Sequence, residues 1–302
     1  MGSFVSRITG SLAFLLYALN TLFWVCPILA ISLFKLIPIQ IMRTVCTYLI
    51  DFSASSWISV NGIIENIFHP IKINVECDNP LSPKEWYMVI ANHQSWVDIL
   101  ILQRILNHRI PFLKFFLKQE LIFVPVLGLA WWALDFPFMK RYSPSQLRKK
   151  PKLRGKDIEI TKKACAKFKT KPVSVMNFVE GTRFHSSKHE KQASPFTHLL
   201  KPKAGGMAFA LSAMGEYIHK LVDVTIYYPE GSPTYWEYIS GKVKHVNVHI
   251  SVTDIDDKMR GDYTKDRQFK IDFQAQLNTI WKQKDQQLIT MVQQEKQNKE
   301  VQ

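Results

Sequence analysis

The sequence predicts an α/β fold: a mixed, mostly parallel sheet flanked by helices, behind an N-terminal hydrophobic membrane segment. Three observations carry this. The run Trp86 to Ala91 is continuously apolar, as in a strand buried on both faces. Short β-branched or aromatic runs alternate along the chain with stretches of helical spacing, the pattern of an α/β domain. From Ile8 to Phe34 there is no charged residue at all.

The N-terminal run comes first. As a helix from Ser11 to Phe34 it is roughly 36 Å long at about 1.5 Å per residue, enough for a hydrocarbon core of about 30 Å. A cleaved signal would have a shorter apolar run and then a small-residue cleavage site, whereas Lys35-Leu-Ile-Pro-Ile continues apolar, so the segment reads as an anchor. Asn20 and Pro27 inside the run leave two geometries open, a straight span and a segment that enters and turns back. Ile39 to Phe68 is apolar but interrupted by Arg43, Asp51, Asn61 and Glu65, and reads as interfacial. Residues 1–69 are therefore assigned to membrane anchoring. Lys35 and Arg43 against Arg7 favour a body facing the cytoplasm.

Residues 70–281 read as the α/β domain. Ile71 to Cys77 alternates with period two, and Val173 to Val179, Leu221 to Tyr228 and Val243 to Val252 are further strand candidates beside Trp86 to Ala91. Helical spacing occupies Asp98 to Leu106, Asp157 to Lys169, Met207 to Met214 and a stretch beginning at Phe269. Residues 282–302, rich in Gln and Lys, read as a polar tail that frays.

Composition narrows the function classes. With 302 residues, 47% apolar and 21% charged, the chain is too hydrophobic for intrinsic disorder. Its four cysteines, Cys26, Cys46, Cys77 and Cys165, form no Cys-x-x-Cys pair, which argues against a disulfide scaffold or a zinc module. The 39 basic against 25 acidic residues give +14 and point to an anionic partner. Thirteen of the basic residues fall between Lys140 and Lys171, either a solvated surface or a patch for anionic lipid or an acidic carrier. Nucleic acid is not an expected partner, because a nucleic-acid binder has little use for a membrane anchor.

Two clusters carry chemistry. Trp86 to Ala91 runs into Asn92-His93-Gln94-Ser95-Trp96-Val97-Asp98, so His93 follows a buried strand, where open α/β sheets place their sites. On one continuous helix His93 and Asp98 would lie about 140° apart. They meet only if His93 occupies the turn before a helix and Asp98 its first turn. There the carboxylate would fix the imidazole tautomer and leave one ring nitrogen as a base; the plainer alternative is a loop histidine with Asp98 as a helix cap. The second cluster is Asn177-Phe-Val-Glu180-Gly181-Thr182-Arg183, where a Gly-Thr-Arg turn can cradle an oxyanion or a phosphate, or simply turn while Glu180 pairs with Arg183.

Together, Asn-His-x4-Asp after one strand and Phe-x-Glu-Gly-Thr-Arg after another resemble the lysophosphatidic acid acyltransferase (1-acyl-glycerol-3-phosphate acyltransferase) family, in particular its bacterial probable-acyltransferase branch. Phe116-Leu-Lys118-Gln-Glu120-Leu121 with Pro125 and Gly128 is similar to the family's acceptor-binding block, and Arg141 to the arginine that closes it. Lys203-Ala-Gly205 and Val222 to Ile226 fall where its last block belongs. Val179 and Asp223 stand where many members have Pro, and Asp135 near a usual Gly.

The resemblance implies a glycerolipid acyltransferase fold and transfer of an acyl group from a thioester to the hydroxyl of a lysophospholipid, most of all 1-acyl-glycerol-3-phosphate. His93 would be the general base and Asp98 its orienting carboxylate. Arg183 would bind the acceptor phosphate with Lys118 and Arg141, Glu180 would position Arg183, and donors near Gly181 and Thr182 would stabilise the oxyanion. No cofactor is implied beyond the donor, acyl-CoA or acyl carrier protein, and the remaining partners are membrane lipids. His185 and His189 have metal-ligand spacing but lack a third ligand, and Ser95 lacks a nucleophile elbow.

Overall fold

The computed structural model of the chain describes residues 3–139, 171–215, 217–263 and 265–301. Its strands, in chain order, are β1 (Lys72–Cys77), β2 (Tyr87–Ala91), β3 (Leu113–Phe115), β4 (Leu117–Lys118), β5 (Phe138–Met139), β6 (Ser174–Asn177), β7 (Lys220–Tyr227) and β8 (His245–Asp254). β4 and β5 pair in a separate ribbon; the other six form one sheet in the order β1-β8-β7-β2-β6-β3. Every neighbouring pair in that sheet is parallel except β7 with β8. The predicted mixed, mostly parallel sheet is what forms.

β2 lies between β6 and β7 and is buried at every residue. Its side chains alternate between two cores. Tyr87, Val89 and Ala91 join Ile101 and Leu102 of α3 (Val97–Leu106). Met88 and Ile90 join Met207 and Leu211 of α6 (Ala204–Met214) and Phe273, Leu277 and Trp281 of α8 (Arg267–Val301). A strand with helices on both faces needs apolar residues at both parities, which is why its sequence does not alternate. Because β2, β6 and β7 are mutually parallel, the loops after them emerge at one edge of the sheet.

The anchor segment is a helical hairpin of α1 (Ser3–Phe34) and α2 (Gln40–Phe68). α1 is long and apolar enough to cross a membrane, and it stays helical through Pro27. Asn20 does not interrupt it; its amide is buried and donates to Asn61 Oδ1 (2.8 Å) and the Trp57 carbonyl (3.0 Å) on α2. The hairpin also lies along the α/β domain. Near one end Ser6 donates to the Ser240 carbonyl (2.9 Å), and a Cβ on Gly10 would sit 3.0 Å from Ser240 Cβ, a tight contact that glycine avoids. At the other end Lys35 pairs with Asp135, a residue held at φ +56° just past α4 (Leu127–Ala133). The acids that interrupt the apolar pattern of α2 face the domain: Glu65 pairs with Arg104, and Asp51 with Lys171.

The C-terminal segment departs from expectation. Helix α8 continues to Val301, and the polar residues read as a fraying tail include buried anchors. Lys284 Nζ donates to the Val224 carbonyl (2.6 Å) and Thr225 Oγ1 (3.1 Å) and lies 2.7 Å from Asp223 Oδ1. Two of the three ammonium donors are thus taken by hydrogen bonds to β7, and the aspartate supplies the opposing charge. Burial pushes the lysine pKa down and the aspartate pKa up while each charge opposes the other's shift. Asp285 accepts from the backbone amides of Thr197 (2.7 Å) and His198 (2.8 Å). The expected helix at Asp157 to Lys169, most of the basic stretch from Lys140, and Arg141 lie outside the described residues.

Candidate active site

His93 occupies the loop between β2 and α3, and Asp98 the first turn of α3, the arrangement that lets residues five apart meet. His93 Nδ1 lies 2.9 Å from Asp98 Oδ2. A carboxylate only accepts, so Nδ1 carries the proton and Nε2 is left as an acceptor. Asp98 is almost wholly buried, and its Oδ2 also accepts from the amides of Gln94 (2.7 Å) and Ser95 (2.9 Å) in the loop that precedes the helix. Of the two alternatives left open by the sequence, the structure shows the carboxylate–imidazole pair; the first helical amide, that of Val97, donates to Ser95 Oγ (3.1 Å) instead.

The fourth donor is one the sequence did not flag. Tyr228, the residue just after β7, donates its hydroxyl to Asp98 Oδ1 at 2.7 Å. Burial, with the neighbouring carboxylate, holds that phenol far above its usual pKa, so it stays a donor. One face of the His93 ring is covered by Phe178, stacked at 3.9 Å between centroids and 16° between planes. Asn92 exchanges two hydrogen bonds of 2.8 Å with the backbone of Ile226, tying the root of the loop to β7. The Ser95 hydroxyl donates to the Pro233 carbonyl (2.5 Å), a structural use.

The loop after β6 reaches the same edge. Gly181 has φ +72°, and its amide donates to the Phe178 carbonyl (2.9 Å), closing the turn, so it is not free for an oxyanion. Arg183 extends its guanidinium over the Trp96 ring, 4.9 Å from the centroid, and so lies beside the His93 loop. Thr182 Oγ1 accepts from Lys188 Nζ on α5 (Ser186–Gln192) at 2.6 Å. Phe184 donates its amide to the His93 carbonyl (2.6 Å), joining the two loops.

Glu180 corrects the sequence reading. It does not pair with Arg183; it points inward, with Oε1 accepting from the His93 amide (3.1 Å) and Oε2 from the Leu200 amide (3.2 Å). The cause is burial behind the turn, which leaves backbone donors as its partners and raises its pKa to about 8. Leu200 is fixed in turn, its carbonyl accepting from Trp281 Nε1 of α8 (3.0 Å). A chain of contacts thus runs from the C-terminal helix to the backbone of His93. Lys118 is on β4, exposed, and among the described residues it donates to none of His93, Asp98, Glu180 or Arg183.

The His93–Asp98 pair and the Thr182–Arg183 turn therefore lie on adjoining loops at the strand ends, joined by the Phe184 amide and the Arg183–Trp96 stack. Together they offer a buried carboxylate, an imidazole with one accessible nitrogen, and cations a short distance away. Such a set can take a proton from a hydroxyl and hold an anion on the same substrate.

Residues 72–229 match the family model described as Acyltransferase. The chain is 29% identical over 210 residues to 1-acyl-sn-glycerol-3-phosphate acyltransferase 2 of Arabidopsis thaliana, covering 64% of this chain and 51% of that protein. It is 30% identical over 117 residues to 1-acyl-sn-glycerol-3-phosphate acyltransferase alpha of Ovis aries, covering 38% of this chain and 36% of the relative. The chain thus spans about half the length, or less, of these relatives. Among solved structures, the crystal structure of the 1-acyl-sn-glycerophosphate acyltransferase PlsC from Thermotoga maritima aligns over 92% of this chain and 97% of that one, with 17% identity and a TM-score of 0.47. The sequence relatives agree with the resemblance carried by the two motifs.

Proposed function

The chain belongs to the Acyltransferase family, and from that premise we propose that it moves a fatty acyl group from an acyl thioester to the free hydroxyl of a lysophospholipid, first of all 1-acyl-glycerol-3-phosphate, yielding phosphatidic acid. The observation that carries the reading is the 2.9 Å contact between His93 Nδ1 and Asp98 Oδ2 beside the Arg183 turn. His93 Nε2 takes the hydroxyl proton as the oxygen attacks the thioester carbonyl, while Asp98 faces the imidazolium that forms. Collapse of the tetrahedral intermediate breaks the C–S bond, and the imidazolium returns its proton to the departing thiolate. No acyl-enzyme is needed, because the thioester is already activated and the site supplies position. With the Gly181 amide engaged in its turn, the backbone amides of Thr182 and Arg183 are the loop's oxyanion donors.

Arg183 holds the acceptor phosphate. Lys118 and Arg141 belong to the same reading as peripheral contacts of the acceptor, on its approach rather than at the reacting atoms. Acyl-CoA or acyl carrier protein delivers the donor, and the proton transfers described call for no further cofactor. The α1–α2 hairpin seats the enzyme in the cytoplasmic face of the inner membrane. Its apolar residues Leu19, Leu22 and Phe23 are exposed, while its polar side is tied to the α/β domain near both ends of α1. That two-ended attachment supports a hairpin lying in one leaflet over a helix crossing both. The test is to give the purified protein lysophosphatidic acid and a radiolabelled acyl thioester. Labelled phosphatidic acid supports the proposal, and no acylation of any lysophospholipid refutes it.

A further inference from the structure

Beside the His93 loop lies a cavity of about 370 Å³, bounded by Trp96, Arg183, His185, Lys188 and Tyr235. Two of these residues are permanent cations on one short stretch of chain. Lys188 is drawn back onto the Arg183 turn, its Nζ donating to Thr182 Oγ1 (2.6 Å) and to the Arg183 carbonyl (3.3 Å). Two of the three ammonium donors are thereby engaged and one remains. Arg183 stacks on Trp96 instead of pairing with an acid. Among the described residues neither cation has a carboxylate partner, and Glu180, the acid nearest Arg183 in sequence, is turned away onto backbone amides. Like charges gathered without a counter-ion at the rim of a cavity favour an anionic ligand, which would relieve their repulsion.

We propose that Lys188 is a second phosphate ligand beside Arg183, and that the pair selects acceptors ending in a phosphate monoester over acceptors whose phosphate is esterified on both sides. The inference rests on the acyltransferase reading and names the residue that sets its headgroup preference. A monoester presents three terminal oxygens and a charge of about −1.5 to −2 at neutral pH. The Arg183 fork can engage two of those oxygens, leaving the third and the second charge to Lys188. A phosphodiester has one charge and only two non-bridging oxygens, both of which the fork can fill. The lysine therefore has a partner only in the monoester.

The test is steady-state kinetics of wild type, Lys188→Met and Lys188→Arg in mixed micelles, with lysophosphatidic acid as acceptor and lysophosphatidylglycerol as alternative acceptor or competing inhibitor. Lys188→Met is expected to lower kcat/KM for lysophosphatidic acid about tenfold or more, mainly through KM, as for loss of a charged hydrogen bond. The KM or inhibition constant of lysophosphatidylglycerol should move less than about threefold, and Lys188→Arg should recover most of the loss. Equal losses with both headgroups, unchanged kinetics with lysophosphatidic acid, or a rise confined to the KM of the acyl thioester would each overturn the proposal. The last outcome would assign the cations to phosphates of the donor. A wild type inactive on both lysolipids would overturn the acyltransferase reading and this inference with it.

Discussion

The Glu180 carboxylate holds the backbone amide of His93 at 3.1 Å, so the acid of the second motif fixes the main chain of the first. The two motifs are 87 residues apart and meet because β2 and β6 are adjacent and parallel. Glu180 is a buried strut between loops, and what it positions is the backbone of His93.

This strut makes stability depend on pH in a defined direction. The folded pKa, about 8, lies above the value of 4.5 for the free carboxyl, so between these limits the folded state binds more protons than the unfolded state. The contribution is fully present below the unfolded pKa and is lost as pH rises through the folded one. At most it changes by about 1.4 kcal/mol per pH unit. Melting wild type and Glu180→Gln side by side from pH 5 to pH 8.5 should show wild type losing stability relative to the variant as pH rises. A parallel course of the two melting curves would contradict the assignment.

Tyr228→Phe removes one of four donors to Asp98 without changing the shape of the site. Loss of a hydrogen bond to a charged group is worth about 1.5–3 kcal/mol, so kcat should fall roughly tenfold or more with the acceptor KM little changed. The measurement is a kcat and KM pair for each protein at one pH. An unchanged kcat would show that Asp98 needs no support from β7.

Lys284, fully buried, pairs with the partly buried Asp223 between α8 and the sheet. Removing one partner of such a pair costs about 3–5 kcal/mol, whereas replacing both by apolar groups is often neutral. Lys284→Met should therefore lower the denaturation midpoint sharply, and Lys284→Met combined with Asp223→Val should recover most of it. A double variant as unstable as the sum of the singles would rule out a charge-specific coupling.

Both ends of α1 touch the α/β domain, so both should lie on one side of the bilayer. Cysteines placed at Val5 and Ile37, in a protein freed of its four native cysteines, should both react with an impermeant maleimide added from the cytoplasmic side. Protection of one site and labelling of the other would mean that α1 spans the membrane.

The sequence made the strongly patterned parts legible. β1, β2, β6, β7 and β8 are each visible as β-branched or alternating runs, whereas the spacing of His93 and Asp98 leaves two readings open and only the resemblance carried by both motifs selects the pair that forms. β3, β4 and β5 are two or three residues long, too short for any periodicity to register. Sequence proximity suggests Arg183 as the partner of Glu180, whereas burial gives it amides 87 and 20 residues away. Tyr228 looked like the end of a strand, since only the register of β7 against β2 brings it over Asp98. The tail was underestimated because Trp281, Lys284 and Asp285 lie on one helical face whose partners are far away in sequence.

In the proposed reaction His93 is the group that takes the acceptor's proton. The most direct measurement of that role is the rate of phosphatidic acid formation by His93→Ala beside wild type, at equal protein, with lysophosphatidic acid and acyl thioester saturating and folding checked by thermal melting. The rate should fall by about 10²–10⁴-fold or more while the protein stays folded. A folded His93→Ala protein that acylates lysophosphatidic acid at the wild-type rate would contradict it.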